Sequence, residues 1–341
     1  MEISVLSRKI LRELCTNSRV SISDLVNKYN VDWHIIKNRI TAIEKEFGLF
    51  YTLELNSTAL GITTLHVVII NFVKKPSFEE FKKFAEGSQN VQLAFTTKGD
   101  FDAVLFAIAA TPKAYYMWEI SLMMELAKYG VSIRSSEATM PHIGFVPLND
   151  EQIRKSDIDA VYKKMLLVLN SDSRTTVREL SKRIGMKENI TRYYLGKLEK
   201  SNIIRRYTAL ITKPPYKFNI LYFTNYTVRL GIDRRVGNER RLQYWRKTDN
   251  FPVINEFQMM FGMCGGENSL NWAIYENLEE GLKQSVELHR KIYDADSPEV
   301  KWALIDKVAK GVLPLRNIDM KDGFDFAFSE STTPGITAKT D

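Results

Sequence analysis

The chain repeats itself. The stretch Asn17-Ser-Arg-Val-Ser-Ile-Ser-Asp-Leu25 returns as Asp172-Ser-Arg-Thr-Thr-Val-Arg-Glu-Leu180, 155 residues later. Holding that offset without gaps puts Leu11 on Leu166, Leu14 on Leu169 and Ile22 on Val177. It also puts Ile40 on Leu195, Ile43 on Leu198, Glu44-Lys45 on Glu199-Lys200 and Leu55 on Leu210. A repeat of this length means that one structural plan is used twice, so any fold assigned to one copy has to suit the other.

In each copy the pattern is three helices and a strand. Ile10, Leu11 and Leu14 share one face of a helix over 6–16, whose counterpart is 158–169. A short helix over 21–29, entered at Ser21 or Ser23 as N-cap, corresponds to 177–184. Asn30 and Gly185 follow, both residue types that tolerate the left-handed backbone of a sharp helix–helix turn. The third helix spans 32–47 and 187–200, and a strand spans 50–56 and 205–212. This order describes a winged helix-turn-helix.

A second pattern follows each unit. In copy one it reads strand 64–72, helix 77–86, strand 91–97, turn 98–102, strand 103–110, helix 113–129 and strand 132–141. In copy two it reads strand 220–230, helix 239–247, strand 254–261, a Gly-rich turn 262–266, strand 270–275, helix 278–293 and strand 300–308. The order βαββαβ is the ferredoxin-like split unit. The expected class is therefore α+β. Winged helix-turn-helix domains at 1–58 and 157–213 are each followed by a ferredoxin-like domain, at 62–148 and 218–318. A polar stretch, 149–159, links the copies. The polar tail, 319–341, is expected to be disordered.

Composition narrows the function. The net charge of +7 favours polyanionic partners. Cys15 and Cys264 stand far apart without CxxC spacing, which fits a reducing compartment and gives no zinc knuckle. The apolar runs fall short of the ~18 residues of a membrane span, and residues 1–4 do not look like a signal peptide. A cytoplasmic protein without membrane contact is expected. His34, His66, His142 and His289 share no metal-ligand spacing, and no phosphate loop, nucleophile elbow or HExxH motif occurs. The expectation is a non-enzyme with neither metal nor cofactor, and His66 and His142 are expected to be packed strand residues.

Double-stranded DNA is the expected partner. In a helix-turn-helix the third helix enters the major groove, and cations around it hold phosphates. Copy two offers Lys187, Asn189, Thr191, Arg192, Tyr193 and Lys197 on that helix, with Arg205 and Arg206 at the wing. Asn suits adenine and Arg suits guanine, while Thr, Tyr and Lys suit phosphates. Copy one offers Trp33, His34, Lys37, Asn38 and Arg39. Residues 174–213 hold eleven Lys/Arg and three Asp/Glu, whereas the matching 19–58 hold five of each. Firm grip is expected from copy two. Arg234, Arg235, Arg240, Arg241, Arg246 and Lys247 form a second basic cluster, read as a solvated helix face, with extra DNA contact through wrapping as the alternative.

The plan resembles the Lrp/AsnC (feast/famine) family of regulators. The segment Arg205-Arg-Tyr-Thr-Ala-Leu-Ile211 is similar to that family's wing and hinge strand, and Arg174 sits where it often has Gly-Arg. The segment Lys98-Gly-Asp-Phe-Asp102 is similar to its Gly-Asp-Tyr-Asp turn. The resemblance implies that the βαββαβ (RAM-type) domains pair and bind a small effector, often an amino acid, near that turn. Gly99, Asp100 and Asp102 are the expected effector residues: backbone N–H groups for a carboxylate, an aspartate for an amino group. A usual member has one copy and dimerises; here two copies are joined, so an intrachain pseudo-dimer is expected, with homo-oligomers open. Copy two has Cys264-Gly-Gly-Glu-Asn-Ser269 in place of the turn, and Tyr194 where copy one has Arg39. Two other readings stand beside the regulator. One is a siroheme-decarboxylase-like tetrapyrrole enzyme of the same layout. In that group a His-Asn-Tyr-type stretch lies near the second strand, but here 92–98 and 256–261 lack histidine. The other is a protein-interaction module that has lost DNA binding.

Overall fold

The computed structural model describes residues 4–62, 64–143, 145–213, 218–225, 257–266, 269–275, 277–279, 283 and 299–313. Copy one runs α1 (Val5–Thr16), α2 (Ile22–Tyr29), α3 (Trp33–Phe47), β1 (Leu49–Leu55), β2 (Thr64–Phe72), α4 (Phe78–Gly87), β3 (Val91–Gly99), β4 (Ala103–Ala109), α5 (Pro112–Leu126) and β5 (Val131–Ile143). The helix α6 (Asp150–Lys155) follows. Copy two runs α7 (Ala160–Ser171), α8 (Val177–Ile184), α9 (Glu188–Lys200), β6 (Ile204–Ile211), β7 (Phe218–Asn225), β8 (Phe257–Gly265), β9 (Ser269–Tyr275) and β10 (Glu299–Lys310). The expected helix 239–247, most of 278–293, the 234–247 basic cluster and the tail 319–341 lie outside the described residues.

Local chemistry sets the element ends. At α2 a capping box satisfies the first turn: the Asp24 amide donates to Ser21 Oγ and the Ser21 amide to the Asp24 carboxylate. Asn30 and Gly185 hold left-handed backbone, with φ of 51° and 73°, and turn the chain into α3 and α9. The stretch that links the copies contains a helix. Asn149 caps a real helix, α6, whose Ile153 is fully buried. The Asn149 amide donates to Gln92 Oε1 at 2.8 Å, and Gln152 reaches the Gln89 carbonyl at 2.8 Å. The linker is thereby pinned to the first sandwich.

The strands after the recognition helices cross between copies. β1 pairs with β6, antiparallel, with Thr52 opposite Thr208. Thr52 donates to the carbonyl of Asn170 at the end of α7 (2.8 Å), and Thr208 to that of Cys15 at the end of α1 (2.6 Å). Leu53 and Leu55 of β1 pack with Leu166, Leu169 and Leu198 of copy two. Ala209 and Ile211 of β6 pack with the α1–α3 core of copy one. Each strand thus caps the other copy's helices. Ser18 Oγ and Ser173 Oγ, 155 residues apart, hydrogen-bond each other at 2.7 Å beside the local twofold axis. The repeat register slips here. Tyr51 donates to Glu44 seven residues back, but Tyr207 donates to Glu199 eight residues back. Leu55 is therefore matched by Ile211 and not by Leu210.

The remaining strands form one closed antiparallel barrel, in the order β10-β3-β4-β2-β5-β8-β9-β7. Four neighbouring strands come from each copy, and the seams are β3–β10 and β5–β8. Closure leaves neither sheet with a free edge. The interior is apolar and shared. Phe95 lies edge-on to Trp272 at 5.4 Å, and Phe101 to Phe223 at 5.1 Å. On the outer face α4 and α5 cover β2, β3 and β4 through Phe81, Phe84, Leu122 and Leu126. His66 is a packed strand residue. It stacks on Tyr115, and burial holds its pKa below the ordinary imidazole value, with Glu137 and Glu119 pulling the other way. The side chain of His142 falls outside the described residues.

Candidate nucleic-acid interface

Copy two presents the more cationic head. Thr176 caps α8 by accepting from the Glu179 amide, and Gly185 ends that helix. Lys187 then occupies the N-cap of α9 without making a side-chain cap bond. A lysine side chain has no acceptor for the first amides of α9, and it places an ammonium beside the positive helix end, an arrangement suited to a phosphate. Lys187, Asn189, Arg192, Tyr193 and Lys197 are all exposed. Arg192 pairs with Glu188 at 3.0 Å, one turn back, an exposed contact that a base or phosphate can replace at little cost. Lys197 lies 4.5 Å from the Tyr193 ring centroid, and its bond to that hydroxyl holds its pKa above the ordinary lysine value.

Two expected contacts are corrected by the geometry. Thr191 is fully buried, and its hydroxyl donates to the Lys187 carbonyl at 3.1 Å. It occupies the core position that Ile36 fills in copy one. Arg206 is largely buried and lies 3.5 Å from Glu54 on the paired strand, whereas Arg205 stays exposed. Arg174, though exposed, reaches across to the other copy, over the Tyr51 ring at 4.8 Å and 3.1 Å from Glu44. Its repeat mate Arg19 lies 4.0 Å from the Tyr207 ring centroid and donates to the carbonyls of Ser173 and Thr175. The motif reading missed Arg178, Lys182 and Arg183, exposed on α8. The charge count over 174–213 was the signal for them.

In copy one an aspartate stands where copy two has Lys187. Asp32 caps α3 by accepting from the His34 amide at 2.7 Å. Trp33, His34, Lys37 and Asn38 are exposed and Arg39 is half-buried. Lys37 lies 4.9 Å from the Trp33 ring centroid.

The Gly99–Asp102 turn forms part of a barrel seam. Gly99 has φ +144°, and a Cβ there would stand 2.5 Å from the Trp302 carbonyl oxygen. The Asp100 carboxylate accepts from the Trp302 amide at 2.8 Å. Asp102 accepts from the Phe72 amide at 2.9 Å and pairs with Lys75 at 2.7 Å. Both carboxylates already have partners from the protein, so the site is not an open anion cradle. The opposite seam repeats the close approach: Gly265, φ +124°, faces Ser136. Gly99→Ala is expected to lower stability by about 1–3 kcal/mol through backbone strain and the Trp302 clash. Urea unfolding checks this, with Gly196→Ala as the control: in an uncrowded helical position it is expected to gain up to about 1 kcal/mol.

Among the described residues no cluster of three His, Cys, Asp or Glu side chains suits a metal ion, and no helix is long and apolar enough to cross a membrane.

Comparison with known proteins follows this geometry. Residues 159–205 match the winged helix-turn-helix DNA-binding family. Over 103 residues the chain is 30% identical to the HTH-type transcriptional regulator FL11 of Pyrococcus furiosus, covering 30% of this chain and 68% of that one. Over 109 residues it is 30% identical to the proline dehydrogenase transcriptional activator of Rhodobacter capsulatus, covering 30% and 69%. Along nearly its whole length, 95% of this chain and 98% of the other, the fold is similar to that of the siroheme decarboxylase NirDL, with a TM-score of 0.58 and 12% identity.

Proposed function

Because the chain belongs to the Lrp/AsnC family of helix-turn-helix transcriptional regulators, we propose that it binds double-stranded DNA as a single-chain pseudo-dimer with unequal heads. The observation that carries this reading is α9, which opens on an uncapped Lys187 and exposes Arg192, Asn189 and Lys197. Copy two supplies most of the phosphate grip. Copy one, with Asp32 at the matching helix start, contributes base contacts from Lys37, Asn38 and Arg39 with little non-specific affinity.

The test is fluorescence anisotropy on genomic DNA fragments. Lys187→Ala with Arg192→Ala is expected to weaken binding by at least tenfold, from the loss of two charged contacts. Lys37→Ala with Arg39→Ala is expected to cost less. Equal losses from the two pairs would remove the asymmetry.

An amino-acid effector is the second part of the proposal. It would have to exchange with the Trp302 amide at Asp100 or with Lys75 at Asp102. Isothermal titration against a panel of amino acids tests it, and no heat across the panel rejects it. The whole-chain likeness to NirDL makes siroheme a necessary further arm. A Soret shift on adding siroheme, without salt-dependent DNA retention, would favour the enzyme reading.

A further inference from the structure

α5 is apolar on its outer side as well as its inner one. Tyr115, Leu122 and Leu126 face the barrel and are buried. On the opposite side Tyr116 is 59% exposed, Met117 55%, Met123 42% and Met124 74%, and half-buried Ile120 lies between them. Helical spacing gathers these five into one stripe. Beyond the C-terminal end of α5 stands Val73, 91% exposed, whose amide donates to the Gly130 carbonyl.

The repeat does not carry this stripe in its sequence. The stretch assigned to the corresponding helix of copy two, 278–293, carries Glu279, Glu280, Lys283, Glu287 and Arg290. The sequence of that stretch is thus rich in charge where the middle of α5 is apolar. Among the described helices, α5 keeps its outer face free of charge along its middle, from Tyr116 to Met124.

We propose that the outer face of α5 joins two copies of this chain, helix against antiparallel helix, about a twofold axis through Ile120. A twofold interface must be self-complementary, and the stripe is. Counting from Ile120, apolar side chains stand three and four residues away on both sides. Met117 then meets the partner's Met123, Tyr116 meets the partner's Met124, and Ile120 meets its own copy. Seven residues out, Lys113 reaches the C-terminal turn of the facing helix, where a cation is favoured. The two helix dipoles oppose. A helix of this length, about 22 Å, offers less than the roughly 800 Å² per partner of a standard interface, so the association is concentration-dependent.

Light scattering on the full chain from about 1 to 100 μM, coupled to size exclusion, tests this. The wild type is expected to move from the mass of one chain to that of two. Met117→Glu with Met124→Glu is expected to raise the dissociation constant by more than tenfold, with unchanged circular dichroism, because both side chains are exposed. A second variant tests the geometry: in a Cys264→Ser background, Ile120→Cys is expected to form a disulfide-linked dimer under mild oxidation and Lys113→Cys is not. A wild type that stays one chain at 100 μM overturns the proposal, and so does a double variant that dimerises as well as the wild type. The proposal stands apart from the DNA reading, since α5 lies on the barrel and not on α3 or α9. Binding of the double variant to a short duplex reports on that reading separately.

Discussion

Replacing Phe101 by Ala is expected to destabilise the protein by about 3–5 kcal/mol, the range for a fully buried aromatic. Phe101 is 1% exposed, although it sits in the turn between β3 and β4, where a loop residue would ordinarily meet solvent. Its ring lies edge-on to Phe223 of copy two, 5.1 Å between centroids. Its carbonyl accepts from the Thr97 hydroxyl at 2.7 Å, which fixes the turn. Truncation opens a cavity against the partner copy at the seam where β3 meets β10. A loss of this size is a large part of the 5–15 kcal/mol that holds a typical domain folded. Denaturant unfolding measures it. Val5→Ala, at a position 72% exposed, serves as the control and is expected to stay within about 0.5 kcal/mol of wild type. A Phe101→Ala variant that loses less than 1 kcal/mol would mean that the two sandwiches do not share a core.

Much of this architecture was legible because local signals agree with the tertiary ones. Ser21 with Asp24, Asn30 and Gly185 mark helix boundaries by chemistry that does not depend on distant residues. The pairing of the copies was foreseen from the resemblance, but its form was not. Nothing in β1 or β6 announces that Leu53 belongs to one core and Ile211 to the other, since both strands simply read as apolar. The closed barrel is likewise a property of two edges meeting. A strand such as β3 has the same sequence pattern whether its edge is free or paired. Along the recognition helix exposure follows from charge at Lys187 and Lys197. At Thr191 the hydroxyl suggests a contact, while the residue's place in the helical period points to the core. At the turn, the aspartates looked like ligand groups because one copy cannot show that Trp302, two hundred residues away, uses one of them.

The second large effect expected is on salt. Among the exposed cations of copy two, seven lie on α8, from the N-cap of α9 to Lys197, and at the wing: Arg178, Lys182, Arg183, Lys187, Arg192, Lys197 and Arg205. Arg206 is left out because it is largely buried against Glu54, and Arg174 because its glutamate and ring partners, Glu44 and Tyr51, belong to the other copy, whereas Arg183 and Arg192 pair within their own helices. If about six of the seven meet phosphates, the slope of log affinity against log salt is about −5, and affinity falls by about 10³ between 50 and 200 mM salt. Each exposed cation removed should make that slope shallower by about 1. Lys182→Ala is a clean choice, since its neighbour Arg183 is already paired with Glu179 and Lys182 is not seen in that pair. The same experiment with Lys28→Ala in copy one should leave the slope nearly unchanged. Lys28 is committed to Glu13 at 2.8 Å, and its surroundings carry no net charge. A slope shallower than about −2 for the wild type would show that DNA is not held by this surface. Equal changes from Lys182→Ala and Lys28→Ala would return the two heads to equivalence. The asymmetry has a consequence for the kind of site read. A symmetric dimer gains most from a palindrome, whereas this chain carries a strongly cationic head and a weakly charged one on a single polypeptide. Its preferred DNA should therefore be non-palindromic and bound in one orientation, with α9 on the half-site whose loss costs more.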